Sequence, residues 1–228
     1  MCRIFSKLII YGSYIFKVGN RVTTNDLTNL IKDAFSTALA EDLAHAVDIN
    51  KLEKGSKETH RNKKRSKHWV SSLSNLLLDQ TNKNELEDVR YSAFHQGNSN
   101  NKTEFGRNEF LFDIVIAEIM TIESAGNGRQ NSKKKLDVIK KLKWVVESEF
   151  CIRNSREVLF DLNKLVVAKA ENKLLIISCD SVNLINWAKQ SLITLSAGDE
   201  ANIYLASIPH PASWEKMSDK NISVFKIK

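Results

Sequence analysis

Residues 109–122, EFLFDIVIAEIMTI, carry apolar side chains on both parities of an extended chain. A strand of that kind has no face for water, and it predicts a central position in a sheet covered on both sides. Helices must then supply the two covers. The 3.6-residue period supplies candidates over 24–47, 156–170 and 182–195. In the first, Thr23 or Thr24 caps the start, Asp26 suits the first turn, and Leu27, Ile31, Phe35, Ala38, Leu39 and Ala46 form one stripe. Shorter β-rich runs at 89–95, 144–150, 174–178, 203–208 and 222–227 read as further strands.

Less patterned segments join these. Residues 51–67 show no apolar period and are expected to be a loop, followed by a short helix over 68–79. The Asn- and Gly-rich stretch 96–108 reads as a long turn, and 133–142 as a short helix. The order is helix, strand, strand, strand, helix, strand, with a helix and strands appended. It predicts an α/β fold in which a mixed β-sheet is flanked by helices. Residues 1–228 are expected to form one domain, with a core at about 24–178 and a C-terminal helix and strands at 182–228.

Charge is unevenly spread. The formal net charge is +7, and Lys51–Lys67 holds eight Lys or Arg against Glu53 and Glu58. Lys133, Lys134, Lys135, Lys140, Lys141 and Lys143 form a second cluster countered only by Asp137. Concentrated cations of this kind can neutralise phosphates and release counterions, and Lys63, Lys64 and Arg65 are the candidate DNA contacts. A solvated loop and a polar helix face are the plainer explanations. Cys2, Cys151 and Cys179 are too few and too scattered for a disulfide framework or a zinc site. The apolar stretch Leu8–Phe16 is far shorter than a membrane span, and no cleavage pattern follows it. A cytoplasmic, membrane-free protein is expected.

Three acids stand out against this background. Asp113 lies between Phe112 and Ile114 in the most apolar strand, where an unpaired carboxylate is costly. Glu147 and Glu149 end the run WVVESEF and, two residues apart on one strand, point to one face. Neighbouring carboxylates in apolar surroundings repel unless a positive group lies between them. A divalent cation such as Mg²⁺ satisfies that need with oxygen ligands. Glu41 and Asp42, on or near the apolar side of the first helix, are candidate additional acids, that helix being expected to flank the three, although a salt bridge is the usual resolution.

An Asp in one strand and an acid-x-residue triplet ending the next resembles the PD-(D/E)XK nucleases, also called restriction endonuclease-like. FLFDIVI supplies the Asp, WVVESEF the triplet, and REVLFDLNKLVVAKAENKLLIIS the following helix and strand. The likeness covers about residues 24–178. This chain departs from the family in ending the triplet with Glu149 instead of Lys, as does a restriction enzyme that also reads Glu-Ser-Glu. It also lacks a Pro before Asp113 and needs an insertion at 123–143.

The resemblance implies an αβββαβ core and a Mg²⁺-dependent endodeoxyribonuclease that cuts double-stranded DNA; restriction-type cutting is the leading expectation beside repair and phage defence, and a restriction role would fit a homodimer. Asp113 and Glu147 would hold the metal, and Glu149 would join them as a catalytic residue. Lys164 on the next helix is the nearest replacement for the missing Lys, although a surface lysine is its plainer reading. The alternative is a non-catalytic DNA-binding protein on a degenerate nuclease scaffold.

Overall fold

In the computed structural model the described residues are 22–49, 54–84, 89–107, 109–125, 135–150 and 155–228, without the side chains of 43–49, 54–58 and 84. Helices α1 (Thr24–Ile49) and α2 (Lys54–Asn84) come first. Strand β1 (Arg90–Phe94), the short helix α3 (Asn100–Phe105), β2 (Ile114–Glu123) and β3 (Lys135–Glu149) follow. The remainder is α4 (Ser155–Val167), β4 (Ala170–Ser178), α5 (Val182–Leu195), β5 (Asn202–Ile208) and β6 (Ser223–Lys226).

The strands form one mixed sheet in sequential order, β1 to β6. β1, β2 and β3 are an antiparallel meander. β4 joins β3 in parallel through α4, β5 joins β4 in parallel through α5, and β6 closes the edge antiparallel to β5. Parallel neighbours need a crossover of about a dozen residues, which α4 and α5 provide.

The parity rule for the central strand holds. Ile114 and Ile116 of β2, with Trp144 and Val146 of β3, bury against Leu27, Ile31 and Phe35 of α1 and Trp69, Leu73 and Leu77 of α2. Val115 and Ala117, with Val145, bury on the other face with Val158, Leu162 and Leu165 of α4 and Leu184, Ala188 and Leu192 of α5. The sheet therefore separates α1 and α2 from α4 and α5. The start of α1 is fixed by Thr23, whose Oγ1 accepts from Asp26 N at 3.2 Å while Asp26 Oδ2 accepts from Thr23 N at 3.1 Å.

Three local expectations are corrected. The segment 51–67 is not a loop: from Lys54 onward it is the first half of α2. Its inward positions begin with Arg61 and Arg65 in place of apolar residues, so no hydrophobic period appears until Trp69. The segment 133–142 is not a helix, because from Lys135 it extends β3 and pairs with β2 as far as Glu123. The long turn at 96–108 contains α3, which ends at Gly106 with φ 76°.

The stretch between Asp113 and Glu147 is long because the hairpin outgrows the sheet. β1 pairs with β2 only up to Ile119, and β4 begins opposite Leu142. Beyond those points Met120–Glu123 and Lys135–Val138 continue as a two-stranded ribbon with Met120, Ile122 and Leu136 exposed.

Candidate active site

Asp113 is not in mid-strand as its neighbours suggest; it sits in the bend at 111–113 that leads into β2. The register pairs Ile114 with Val146, so one step outward Asp113 faces Glu147 across the hairpin. Both share the parity of Val115 and Val145 and turn toward α4. Asp113 Oδ2 accepts a hydrogen bond from Ser148 N at 2.8 Å, tying the bend to the end of β3. Glu149 follows two residues later on the same face, near enough for its charge to act on Asp113.

The fourth member comes from α4. Lys164 Nζ lies 2.7 Å from Glu147 Oε1 and 2.7 Å from Asp161 Oδ1. Helical geometry puts Asp161 and Lys164, three apart, on neighbouring positions of one flank, while Val158, Leu162 and Leu165 hold the helix to the sheet. The Glu147 side chain is 2% exposed and that of Lys164 30% exposed, so the ammonium closes the solvent side of a buried carboxylate. Glu147 Oε1 has no other hydrogen-bonding partner among the described residues.

Burial dominates the electrostatics. Desolvation pushes the Glu147 carboxyl up to about 8 against the pull of Lys164, with Asp113 and Asp161 adding to the rise. Desolvation likewise pushes Asp113 up to about 6, partly offset by the Ser148 N–H and reinforced by Asp161. The Lys164 ammonium is held up at about 12 by Asp161 and Glu147, which outweigh its own desolvation. The constellation is short of positive charge.

That shortage predicts a pH dependence. In the metal-free protein Glu147 binds its proton more tightly folded than unfolded. Between its ordinary value of 4.5 and about 8 the native state therefore holds more protons, and stability falls as pH rises through that window. Thermal melts in EDTA should show the Tm dropping from pH 5 to pH 8. Glu147→Gln should flatten that decline, and a melt series indifferent to Glu147→Gln would contradict the assignment.

The donors suit a hard divalent cation. Among the described residues no three or more His, Cys, Asp or Glu side chains are grouped to hold a metal. Mg²⁺ does not require such a cage, since one or two carboxylates, waters and substrate phosphates ordinarily complete its shell. Asp113 and Glu147 are such a pair.

Glu41 and Asp42 do not flank this site. α1 lies on the opposite face of the sheet, and Asp42 is 2% exposed within an ion-pair network. Its Oδ2 receives Arg65 Nε at 2.9 Å and Arg61 NH2 at 3.1 Å, while Arg65 also donates to the Pro211 carbonyl and lies 3.3 Å from Glu215. Glu41 meets His68 Nδ1 at 2.6 Å. The acid on an apolar stripe is resolved by a cation from the neighbouring helix.

The basic clusters also change meaning. Arg65 is 2% exposed and bonded to Asp42, so it is not placed to reach a phosphate. Lys63 is exposed, Lys64 half-buried, and both belong to a helix on the face away from the acids. Lys133 and Lys134 fall outside the described residues. Lys140 pairs with Glu118, and both Lys141 and Lys143 pair with Glu171. If the chain binds DNA at the acid pair, neutralising Lys63 and Lys64 together should therefore leave the salt dependence of that binding unchanged. A log–log slope lowered by roughly 0.9 per residue would show that they contact phosphates after all.

Nothing in the sequence sets Asp161 apart, and a surface position is the plainer expectation for Lys164. The i, i+3 spacing on the polar flank of an amphipathic helix was the available signal, and it is a common one. Comparison with protein-family models, with curated proteins and with solved structures gives no match. No described helix is long and apolar enough to cross a membrane.

Proposed function

We propose that this protein is a Mg²⁺-dependent nuclease that hydrolyses phosphodiester bonds in DNA, with Asp113 and Glu147 as the metal ligands. The observation that carries the reading is one juxtaposition. Two carboxylates oppose each other across the β2–β3 hairpin, and a lysine from the next helix reaches the more buried one at 2.7 Å. An antiparallel meander, a crossover helix and a parallel strand follow in the order that the resemblance implies.

When bound, Mg²⁺ supplies polarisation of the phosphoryl oxygen and a water of lowered pKa. The chain does the rest. Asp113 is held in place by the Ser148 N–H, and Glu147 by its position within the strand. Lys164 replaces the lysine absent from the triplet: released from Glu147, its ammonium offers charge to a phosphate oxygen or orients the attacking water. Asp161 stays beside Lys164 and keeps it protonated and aimed. Glu149, on the same face, is the candidate base that accepts a proton from the water.

One observation favours the second reading, a DNA-binding protein on a degenerate scaffold. The Glu147–Lys164–Asp161 bridge already supplies a cation to the carboxylates. Supercoiled plasmid incubated with the purified protein in Mg²⁺ or EDTA separates the two. Nicking or linearisation in Mg²⁺ alone supports the nuclease, and unchanged plasmid supports the degenerate scaffold.

Lys164 itself gives a graded test. Lys164→Ala should lower cleavage by about a hundredfold, and in EDTA it should lower the Tm more at pH 8 than at pH 5, because it leaves the buried Glu147 carboxylate without its cation. Lys164→Arg should recover part of the rate. Full activity in Lys164→Ala would confine the lysine to a structural role.

A further inference from the structure

We infer that residues 135–141 of β3 are a docking edge for an extended acidic peptide, which joins the sheet as a strand below β4. β3 pairs with β2 from Lys135 to Val146, but its ladder with β4 begins only at Leu142 opposite Ala170. Before that point β3 has no strand on its other side among the described residues. Backbone N–H and C=O groups left open along an edge are a template for another chain. Asn172 marks where the template stops, its Nδ2 donating to the Lys143 carbonyl at 3.0 Å.

The space beside this edge is open. A cavity of about 840 Å³ is walled by residues 139–142 of β3, by 168–171 where α4 turns into β4, and by 197–201 before β5. β4 is the single strand between β3 and β5, so the space below its first residue is one strand wide. Val166 and Leu195 add apolar surface to the lining. Ile139 and Leu142 of β3 belong to that same α4–α5 face. Lys141 lies on the other face, because it opposes Glu118, whose partner on β1 is Tyr91 of the α1–α2 core. Successive residues of a strand alternate between the faces. A peptide of alternating apolar and acidic residues therefore meets apolar surface on one side and lysine on the other.

The local charge selects the occupant. Glu171 is shared by Lys141 and Lys143, so one carboxylate answers two ammonium groups. Lys169 beside them is exposed, and Glu200 stands on the far turn. Lysines also keep an edge from pairing with its own copy. Were two copies to pair antiparallel about Val138, Lys135 would face Lys141, and like charges directly opposite repel. The chain before Val22 carries Arg3, Lys7, Lys17 and Arg21 and no acid, so it is a poor match as well. An acidic strand is attracted. Along β3 Ile139 stands about 25 Å from Glu147, so this edge is independent of the nuclease reading.

The experiment is fluorescence anisotropy of the full-length chain with a labelled peptide of about eight residues alternating valine and glutamate. It should bind at least about tenfold more tightly than its valine–lysine counterpart, and Lys169→Glu should weaken it by about fivefold. A strand turns alternate amides toward one neighbour. N-methylating the valines in one peptide and the glutamates in another should therefore abolish binding in one of the two. Hydrogen exchange of the amides at 135–141 should slow when the glutamate peptide is added. No binding, equal binding of the two charge types, binding that survives both N-methylations, or unchanged exchange would overturn the inference. So would a DNA oligonucleotide that displaces the peptide without slowing exchange, since the lysines would then be a phosphate surface.

Discussion

Asp113→Ala and Glu147→Gln should each reduce Mg²⁺-dependent plasmid cleavage by at least about a hundredfold, with the circular dichroism spectrum of the parent retained. The size follows from the number of ligands. Where two carboxylates hold an ion with waters and substrate, removing one takes away half of the protein's share of the site and its Lewis-acid contribution. Glu147→Gln keeps the side chain's shape and removes the group whose burial opposes its charge, so the metal-free protein should gain stability at pH 8 while losing activity. Loss of activity with gain of stability separates a functional carboxylate from a structural ion-pair partner. Undiminished cutting by either variant would dismiss the site.

Asp42→Ala should have the opposite profile, a large loss of stability with cleavage retained well below the melting temperature. Asp42 and Arg65 are both 2% exposed, and removing the carboxylate strands a guanidinium in the layer between α1, α2 and the segment at Pro211–Glu215. Breaking a buried pair costs about 3–5 kcal/mol. The lower end applies here, because Arg65 keeps the Pro211 carbonyl and Glu215. For a chain of this length about 3 kcal/mol corresponds to a fall in Tm of about 6–12 °C. Replacing both partners, Asp42→Leu with Arg65→Met, should recover part of the loss, because the apolar pair removes the stranded guanidinium but leaves the Pro211 carbonyl and Arg61 each short of a partner. A single variant that melts like the parent would mean that Arg65 is solvated in solution.

Much of the site was legible because strands carry a period of two. Glu147 and Glu149 had to share a face once 144–150 was a strand, and the two-parity run that begins at Ile114 had to lie inside the sheet, with Asp113 in the bend just before it. Face and partner for Asp113 follow from the hairpin register, in which Ile114 opposes Val146. That register was not readable, because the hairpin extends well past the sheet and its length conceals how the two strands align.

The residues alone carried the order of the strands with α4 and α5 between them, and the identity of the central strand, but not α3 or the strand at 135–142, which reads as a helix. Those depend on local periodicity and on the simple rule that apolar faces must be covered. Tertiary structure alone decided where charges went. Arg61 and Arg65 occupy inward positions of α2 because Asp42 stands opposite them on α1, so a stretch resembling a solvated loop became a helix. Lys164 reaches Glu147 because α4 crosses above β3, a contact between residues far apart in the chain with no shared local pattern. Apolar burial is additive and non-directional and can be read one residue at a time. A buried charge is defined only by its partner, and partners are chosen by packing.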